Sequence, residues 1–439
     1  MRSYTIALAT FGSQGDLHPF LAIARELKHR GHHPVIATIG LYKDNVEAAG
    51  FEFRQLRFAI DDRPLAELMR KVMNGRDGLK FLVRELMMPA LPIAYADALS
   101  AFVGVDLVVV HPLAYAARLA AETMKIPWTA TKLVPIGFAS AYDPPTIIPA
   151  TLLQHLRPLG PAFFGPLLWL MKRGSSRLTE PYDRFRSELG LPPSRNVIFE
   201  GGNSPGLMLA LFSNTLGAAM PDWPPQTVVT GFPFYDGVED SLPKVLEDFL
   251  ASGEPPIVFT LGTAAVHDAG TFYAESAKAL KMLGRRGVLL VGSESANIPP
   301  HLPDTILSVA YAPFSLLFPR SAAIVHQGGV GTTAQAMRSG RPMLIVPFGV
   351  DQPDNAERMR RLGVARVLSR KRFSAQSAAR ELEALLGQAR YQVASASVAK
   401  QIAAEDGAAV ACDHLERRLE ASQKNTFPSD DYGLVENVA

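Results

Sequence analysis

The chain has 439 residues, which predicts two or three domains. Apolar residues make up 48% and charged residues 20%, a composition that excludes intrinsic disorder, collagen and coiled coil as descriptions of the whole. Lys and Arg number 44 against 42 Asp and Glu, for a formal charge of +2. This balance argues against a nucleic acid as the partner.

The single cysteine, Cys412, cannot form an intrachain disulfide and fits a reducing compartment, so we expect a cytoplasmic protein. The apolar run after Arg2 meets Gly-Ser-Gln-Gly-Asp rather than a small-residue cleavage site, which indicates a first strand and not a secretion signal. The later apolar stretch 161–171 is interrupted by Gly165 and Pro166 and is too short to span a bilayer. We predict no transmembrane helix and leave peripheral membrane contact open.

Strands and helices alternate through the first half of the chain. Residues 4–10 are apolar, as in a parallel strand covered on both faces, and helical spacing follows from His18 to Arg30. Between Leu133 and Arg177 the pattern gives way to an apolar, Pro- and Gly-rich segment. We interpret it as a loop that shapes a pocket or packs on its own domain. The other strands predicted for the first half of the chain lie on either side of this segment, at 33–39, 51–56, 105–110 and 227–230.

A second cycle of alternation follows. The alternation predicts an α/β fold with two parallel sheets in two similar, Rossmann-like lobes. The predicted boundaries are a first lobe at 1–235, a linker at 236–245, a second lobe at 246–420 and a polar tail at 421–439. Strands of the second lobe are predicted at 256–261, 287–291, 306–310, 322–325 and 342–347.

The loop from Thr10 to Pro19 follows the first strand, where open α/β sheets bind ligands. It lacks the G-x-G-x-x-G spacing of a dinucleotide site, which disfavours a hydride-transfer cofactor. Asp16 and His18 are rival candidates for a general base, and Asp16 is equally suited to capping the next helix. Gly12 and His111 are candidate contacts to a second substrate, although His111 alone is as consistent with a structural role.

Loops of the second lobe are candidates for an anionic ligand. Gly262 and Thr263 form one turn, and a longer Gly-rich turn opens a helix whose amides and dipole favour a phosphate, or simply makes a tight connection. Asp351 and Gln352 end a further strand and suit vicinal sugar hydroxyls, with helix capping by Asp351 as the alternative. The longer turn comprises His326, Gln327, Gly328, Gly329, Gly331, Thr332 and Thr333.

Together these motifs resemble the family 1 glycosyltransferases, which are inverting enzymes with two facing Rossmann-like lobes, the GT-B fold. The likeness covers nearly the whole chain. It is greatest to the branch of sterol glucosyltransferases, rhamnosyltransferases and antibiotic glycosyltransferases, whose opening G-[ST]-x-G-D-x-x-P is matched by residues 12–19. The segment from Tyr311 to Gln352 matches in order and spacing.

The resemblance implies roles for individual residues. It places Tyr311 against the nucleotide base, the backbone of Ala312 at the base edge and Gln335 near the ribose. It places the Gly-rich turn at the diphosphate. The second histidine of the family is Gln327 here, so either His326 compensates or the diphosphate depends more on backbone amides.

The resemblance also implies a reaction without a metal or other cofactor. Asp16 holds the general-base position, and Asp351 with Gln352 faces the donor sugar. We expect an inverting hexosyltransferase that moves glucose from a UDP-sugar to a hydroxyl of an apolar small molecule. Phe138 and Tyr142 are candidate acceptor contacts.

Three alternatives stay open. One is a dTDP-sugar transferase of the rhamnose type that acts on a lipid or polyketide. Another is a catalytically silent GT-B binding or activator protein, for which the missing histidine is the argument. A nucleotide-sugar epimerase shares the two-lobe plan but needs a carboxylate set that the sequence does not reveal. The acceptor itself is not determined by the sequence.

Overall fold

Two parallel sheets, each covered by helices, organise the chain. The computed structural model describes residues 2–58, 65–75, 77–147, 151–237 and 241–423. The first sheet has the order β3-β2-β1-β4-β5-β6-β7 and the second β10-β9-β8-β11-β12-β13. In each sheet the order in which successive strands are added reverses beside the first strand of the lobe, between β1 and β4 and between β8 and β11. Ligands of doubly wound sheets bind at such switch points.

The strands of the first sheet are β1 (Thr5–Ala9), β2 (His33–Thr38), β3 (Glu52–Gln55), β4 (Leu107–Val110), β5 (Trp128–Lys132), β6 (Met208–Ala210) and β7 (Thr227–Val229). Those of the second are β8 (Ile257–Thr260), β9 (Gly287–Leu290), β10 (Ile306–Val309), β11 (Ala323–His326), β12 (Met343–Ile345) and β13 (Ala365–Val367).

The helices of the first half are α1 (Gln14–His29), α2 (Lys43–Ala48), α3 (Leu65–Val72), α4 (Gly78–Phe81), α5 (Met88–Ala101), α6 (Tyr115–Thr123), α7 (Gly160–Ser175) and α8 (Glu180–Glu188). A π-helical turn, Leu82–Met87, joins α4 to α5. The helices of the second half are α9 (Lys244–Ala251), α10 (Phe272–Leu283), α11 (Phe314–Leu317), α12 (Val330–Ser339), α13 (Gln352–Arg361), α14 (Ala375–Leu386), α15 (Ala389–Ala403) and α16 (Gly407–Gln423).

The central strands are apolar on both faces because helices cover both sides of the sheet. Alternate residues of β8 and β11 enter different clusters: Val258 and Ile324 pack on one face, and Phe259 and Val325 on the other. Side chains of a strand point alternately to its two faces. Each lobe therefore has core on both faces of its sheet, and the predicted α/β, two-lobed GT-B fold is confirmed.

The predicted strands lie within two residues of the observed ones, but three short strands were missed. They are β5, β6 and β13. In β5 the polar residues Thr129, Thr131 and Lys132 are buried, which masks the apolar signal that parallel strands usually carry. The missed strands widen each sheet without moving its switch point.

The prediction of a loop across residues 133–177 is wrong for much of its length. Pro135–Phe138 and Thr151–Leu159 form 3₁₀ helices, and the second runs directly into α7. Pro161 lies in the first turn of α7, where a proline is tolerated because the first amides lack intrahelical acceptors, whereas Pro166 lies inside the helix. The Pro- and Gly-rich composition therefore concealed a helix, while residues 148–150 lie outside the described ranges.

The last helix, α16, returns to the first lobe, which corrects the predicted boundary at residue 420. Its residues Ala411, Cys412 and Leu415 are buried in the core of the first lobe, and Arg30 of α1 bonds to Asp413. Apolar burial against α1 explains this return. Of the predicted linker and tail, residues 238–240 and 424–439 lie outside the described chain. In the part described, no helix has the length and apolar character needed to cross a membrane.

Candidate active site

The two switch points lie close together. The start of α1 and the start of α12 come together there, because a Cβ atom added to Gly331 would lie 3.6 Å from the Cα atom of Gly15. The carboxyl ends of β1 and β11 lead directly into these two helices. The predicted catalytic loop and the predicted Gly-rich turn are thus brought to one place.

The start of α1 is built around Asp16. Ser13 is the N-cap residue, and both its backbone N (2.7 Å) and its Oγ (2.9 Å) donate to Asp16 Oδ2. This capping box satisfies amides that a helix start leaves without partners. A Cβ atom at Gly12, whose φ is +131°, would lie 2.3 Å from the same oxygen, so the carboxylate needs a glycine there. Asp16 therefore does contribute to the helix cap.

The other oxygen of Asp16 faces His111. His111 Nε2 lies 3.3 Å from Asp16 Oδ1, and its Nδ1 accepts a hydrogen bond from the backbone N of Leu113 at 3.2 Å. A neutral imidazole that accepts at Nδ1 carries its proton on Nε2. His111 is buried and donates to Asp16, so its observed contact is with the candidate base.

These bonds set the charge of Asp16. Burial by itself raises the pKa of this carboxyl, but the hydrogen bonds from His111 and Ser13 outweigh it and lower the pKa below its ordinary value. Three hydrogen bonds use three of about four lone-pair positions on a carboxylate. The side chain is 29% exposed. Asp16 is ionised at neutral pH and keeps one acceptor position for a hydroxyl.

His18 lies elsewhere. Two residues beyond Asp16 on α1, it points to another side of the helix, where its ring centroid is 5.5 Å from that of Tyr235. Burial lowers the pKa of His18, opposed by the charge of Asp236. The structure therefore joins Asp16 to His111 and directs His18 toward the connection between the lobes.

The two predicted glycine turns of the second lobe adjoin each other. Gly262 has φ +62°, and a Cβ atom there would lie 2.4 Å from Gln327 Nε2 and 3.3 Å from Thr332 Oγ1. Gln327 Oε1 is buried without a hydrogen-bond partner in the described structure. Thr263 is exposed beside this turn. Amides, an amide side chain and a hydroxyl thus line one small region at the start of α12.

His326 is neutral in this arrangement. It is fully buried, its Nδ1 accepts from the backbone N of Gly328 at 3.1 Å, and burial lowers its pKa to about 3. Its Nε2 is a buried donor with no partner among the described residues. Of the two possibilities left by the sequence, a cationic His326 is therefore disfavoured. Buried, neutral donors and backbone amides remain.

Asp351 is linked to the Gly-rich turn through Asn355. The sequence analysis did not identify Asn355 as a site residue. Asn355 Nδ2 donates to Asp351 Oδ2 at 2.7 Å and to the carbonyl O of Gly328 at 2.9 Å. Burial raises the pKa of Asp351 to about 7, and the carboxylates of Asp16 and Asp354 add to the rise. Asp351 and Asp16 belong to opposite lobes, and the charge of Asp16 thus disfavours ionisation of Asp351.

The side chain of Gln352 is bonded within its own loop. Its Oε1 accepts from the backbone N atoms of Phe348 (2.8 Å) and Gly349 (3.3 Å), and its Nε2 lies 3.6 Å from Met73 Sδ of the first lobe. The amide closes its own loop, in which Val350 adopts a strained φ of +56°. Its predicted contact with a sugar is not supported by these bonds and stays a prediction.

The candidate contacts to the nucleotide differ in their exposure and in their hydrogen-bond partners. Tyr311 is 51% exposed after β10, while Ala312 beside it is buried, so the tyrosine ring is accessible to a flat ligand. Gln335 Nε2 donates to Asp236 Oδ1 at 2.9 Å, and Arg338 bonds to the same carboxylate. Gln335 therefore contacts the connection between the lobes. Thr333 is fully buried in α12.

The two candidate contacts to the acceptor, Phe138 and Tyr142, differ in their burial. Phe138 stacks on Trp223 with ring centroids 3.8 Å apart and lies edge-on to Phe212. This packing gives Phe138 a structural role between the two cores. Tyr142 is 51% exposed.

The structure contains a buried ion cluster that the sequence analysis did not predict. Arg358 of α13 bonds to Asp354 (2.7 Å) and to Asp143 of the first lobe (2.5 Å). Asp354 in turn accepts from the backbone N of Thr146 at 2.9 Å. The spacing of Asp354 and Arg358 is a helical i, i+4 pair, but the partner in the first lobe is 215 residues away from Arg358.

In the ranges described, no three His, Cys, Asp or Glu side chains form a group suited to a metal ion.

Comparison with known proteins agrees with this geometry. Residues 6–142 match the glycosyltransferase family 28 N-terminal domain, and residues 286–416 match the erythromycin biosynthesis protein CIII-like C-terminal domain. The chain is 33% identical to O-mycaminosyltylonolide 6-deoxyallosyltransferase of Streptomyces fradiae, over 94% of this chain and 97% of that enzyme. It is 28% identical to sterol 3-beta-glucosyltransferase UGT80A2 of Arabidopsis thaliana, over 82% of this chain and 57% of that longer enzyme.

Solved structures show the same fold. CalG4, the calicheamicin glycosyltransferase, matches with a TM-score of 0.71 at 20% identity, over 96% of this chain and 99% of that one. The glycosyltransferase VinC, in complex with dTDP, matches with a TM-score of 0.70 at 20% identity, over 95% and 99%. The chain therefore belongs to the two-lobed GT-B glycosyltransferases, the family that includes these antibiotic and sterol enzymes.

Proposed function

We propose that the protein transfers a hexose from a nucleoside-diphosphate sugar, UDP-glucose in our first assignment, to a hydroxyl of an apolar small molecule. Asp16 is the general base and His111 holds it in place. One observation carries the proposal: Asp16, which is bonded to His111, lies at the start of α1 where this helix approaches the Gly-rich start of α12.

The acceptor side supplies the base. An acceptor hydroxyl donates to the remaining lone pair of Asp16, its oxygen attacks the anomeric carbon, and its proton passes to the carboxylate. The bond from the anomeric carbon to the diphosphate breaks in the same step, which inverts the configuration. His111 cannot accept this proton, since Nε2 already carries one and Nδ1 accepts from Leu113. Its role is to position Asp16 and keep it ionised.

The donor side stabilises the leaving diphosphate. The amides at the start of α12, Gln327 Nε2 and Thr332 Oγ1 lie together at the positive end of a helix dipole. His326 Nε2 adds a neutral donor. Preorganised donors of this kind stabilise developing negative charge without a cation. We infer that the missing family histidine at 327 does not make the protein catalytically silent.

Asp351 is the proposed contact to the donor sugar. It lies beside the diphosphate region through Asn355, and it faces the Asp16 carboxylate that activates the acceptor. A sugar held there has its anomeric carbon between the two lobes. A sugar hydroxyl that donates to Asp351 also replaces the water lost on binding.

The dTDP-sugar alternative is supported by two comparisons. The Streptomyces fradiae relative, matched over almost its full length, is named as a deoxyallosyltransferase, and the VinC structure contains dTDP. The names of two relatives give O-mycaminosyltylonolide and sterol as their acceptors. They support an apolar acceptor for this chain, whichever base the donor carries.

A donor panel tests the proposal. The protein is incubated with UDP- and dTDP-linked glucose, rhamnose and 6-deoxyhexoses, first alone and then with macrolide and sterol acceptors, and the released nucleotide is measured. We expect slow hydrolysis of one donor, accelerated by an apolar acceptor and lost in Asp16→Asn. Release that is absent with every donor, while UDP or dTDP still binds by calorimetry, would favour the silent binding protein. Transfer only to free sugars would contradict the apolar acceptor.

A further inference from the structure

Helix α7 presents an apolar face to solvent, the reverse of an ordinary surface helix. Only Phe164 and Leu168 of its 16 residues are buried. Trp169 and Leu170 are 60% and 61% exposed, and Phe163 is 38% exposed. Phe163 and Leu170 are seven residues apart, about two turns, and therefore lie on one side of the helix, with Trp169 about 100° from Leu170 around the axis. The three side chains form one outward stripe. The stripe continues to Leu159, 54% exposed, just before the helix.

Exposed apolar side chains are concentrated in and beside this stripe. Five large apolar side chains between residues 156 and 170 are exposed, whereas the other exposed ones are scattered over both lobes. Scattered apolar residues need no explanation, but a contiguous exposed patch marks an interaction site.

The charge around the stripe has one sign. Residues 151–178 contain no Asp or Glu. Arg173 and Arg177 are exposed and form no ion pair in the described structure, and the Arg173 guanidinium lies 5.7 Å from the Trp169 ring centroid. Of the acidic residues that follow this segment, Glu180 pairs with Arg184 and Glu200 with Lys172. The patch is therefore apolar with an unpaired basic end.

We propose that this face of α7, formed by Leu159, Phe163, Trp169, Leu170, Arg173 and Arg177, lies in the interface of an anionic phospholipid bilayer. Tryptophan and arginine favour the level of the lipid headgroups, and basic side chains near an anionic leaflet add electrostatic attraction. At 1.5 Å per residue the helix is about 24 Å long, shorter than the roughly 30 Å of a hydrocarbon core. It therefore lies on the membrane and does not cross it.

A second copy of the chain fits this face less well. In a two-fold dimer the same patch meets itself, which would bring Arg173 and Arg177 into an interface without carboxylates on the face to pair with them. Desolvated, unpaired charges oppose such a contact. Lipid phosphates supply the missing negative charge. The proposal does not depend on the proposed reaction, although a membrane at the first lobe would supply apolar acceptors.

Intrinsic fluorescence tests the contact directly. The chain has three tryptophans, and Trp128 and Trp223 are 2% and 7% exposed, so an environmental change on binding reports Trp169. The full chain is titrated with vesicles of phosphatidylcholine alone or mixed with phosphatidylglycerol, and binding is checked by flotation. We expect a blue shift and flotation with the anionic vesicles, both weakened by salt. No flotation, or equal binding to both vesicle types, would overturn the proposal.

Variants separate the apolar and charged parts. Phe163→Ser with Leu170→Ser should weaken binding about tenfold or more, and Arg173→Glu with Arg177→Glu should weaken binding to anionic vesicles by about tenfold or more. Val393→Ser, 68% exposed on α15, is the matched control and should bind normally. All melting temperatures should stay near wild type, because the sites are exposed. Loss of a dimer in the serine variant, without vesicle binding by wild type, would assign the face to a second copy instead.

Discussion

Asp16 combines two roles at the residue scale, since one oxygen caps α1 and the other meets His111. Both roles depend on the carboxylate being in one fixed position. Asparagine can serve as a cap acceptor but cannot take a proton from an alcohol. Substitution therefore separates the structural role from the chemical one.

Asp16→Asn should lower kcat by about 10² to 10⁴ with little change in donor affinity or melting temperature. His111→Ala should lower kcat less, and it should move the acid limb of the kcat/KM profile to higher pH, because the bond from His111 lowers the pKa of Asp16. His111→Gln, which retains a donor, should restore part of that shift. Steady-state kinetics across pH measures all three.

His18→Ala is the control for this series. Its ring lies by Tyr235, so turnover should stay within about twofold of wild type, as for substitutions away from the reacting groups. A larger turnover defect in His18→Ala than in Asp16→Asn would reassign the base to His18.

Asp351→Asn should stabilise the free enzyme more at high pH than at low pH. The pKa of Asp351, about 7 in the folded state, lies above its ordinary value of 3.8. Between these values the folded state binds more protons than the unfolded state, so the contribution of Asp351 to stability falls as pH rises through this window. Melting temperatures at about pH 5 and about pH 8.5 measure the effect. Asp44→Asn, at an exposed site on α2, is the control, and its effect on the melting temperature should not differ between the two pH values.

An increase in melting temperature from Asp351→Asn that is no larger at high pH than at low pH would contradict the raised pKa of Asp351.

At the scale of elements, the two helix starts approach closely enough to limit side-chain size. Gly331 has room for a methyl group, since a Cβ atom would meet Gly15 Cα at an ordinary 3.6 Å. Gly331→Val adds bulk to the gap where we place the diphosphate. We expect donor affinity, measured by calorimetry, to fall about tenfold or more in Gly331→Val, as a lost phosphate contact would cause. Gly331→Ala should bind nearly as wild type, and equal affinity of both variants and wild type would remove the diphosphate from this region.

At the scale of the whole molecule, buried ion pairs and a returning helix hold the lobes together. Arg358→Met leaves the carboxylate of Asp354 without its cation and removes one of the three arginines that pair with Asp143, and removing one partner of a buried pair costs about 3–5 kcal/mol. Urea unfolding should show this loss. Arg360→Met, on the same helix with an exposed side chain paired to Glu357, should cost about 0–1 kcal/mol. Similar losses in the two variants would mean that the cluster does not stabilise the folded state.

The sequence by itself determined the features that depend on neighbours along the chain. Apolar runs such as that of β1, and glycines at turns such as Gly262 and Gly328, reflect local burial and backbone conformation, so the α/β fold and the loops of the site were predictable. The match of residues 12–19 to a family motif located Asp16. Short strands with polar buried residues, such as β5, were missed because burial of Thr and Lys depends on what packs over them.

The tertiary structure decided every pairing between distant residues. Asp16 and His111 are 95 residues apart, and Arg358 and Asp143 are 215 apart. The return of α16 to the first lobe and the outward apolar face of α7 follow from which surfaces the rest of the chain covers. A periodic pattern shows that a helix has an apolar side, but not what that side contacts. Those contacts arise only when the whole chain folds, because burial and charge pairing are properties of the packed molecule.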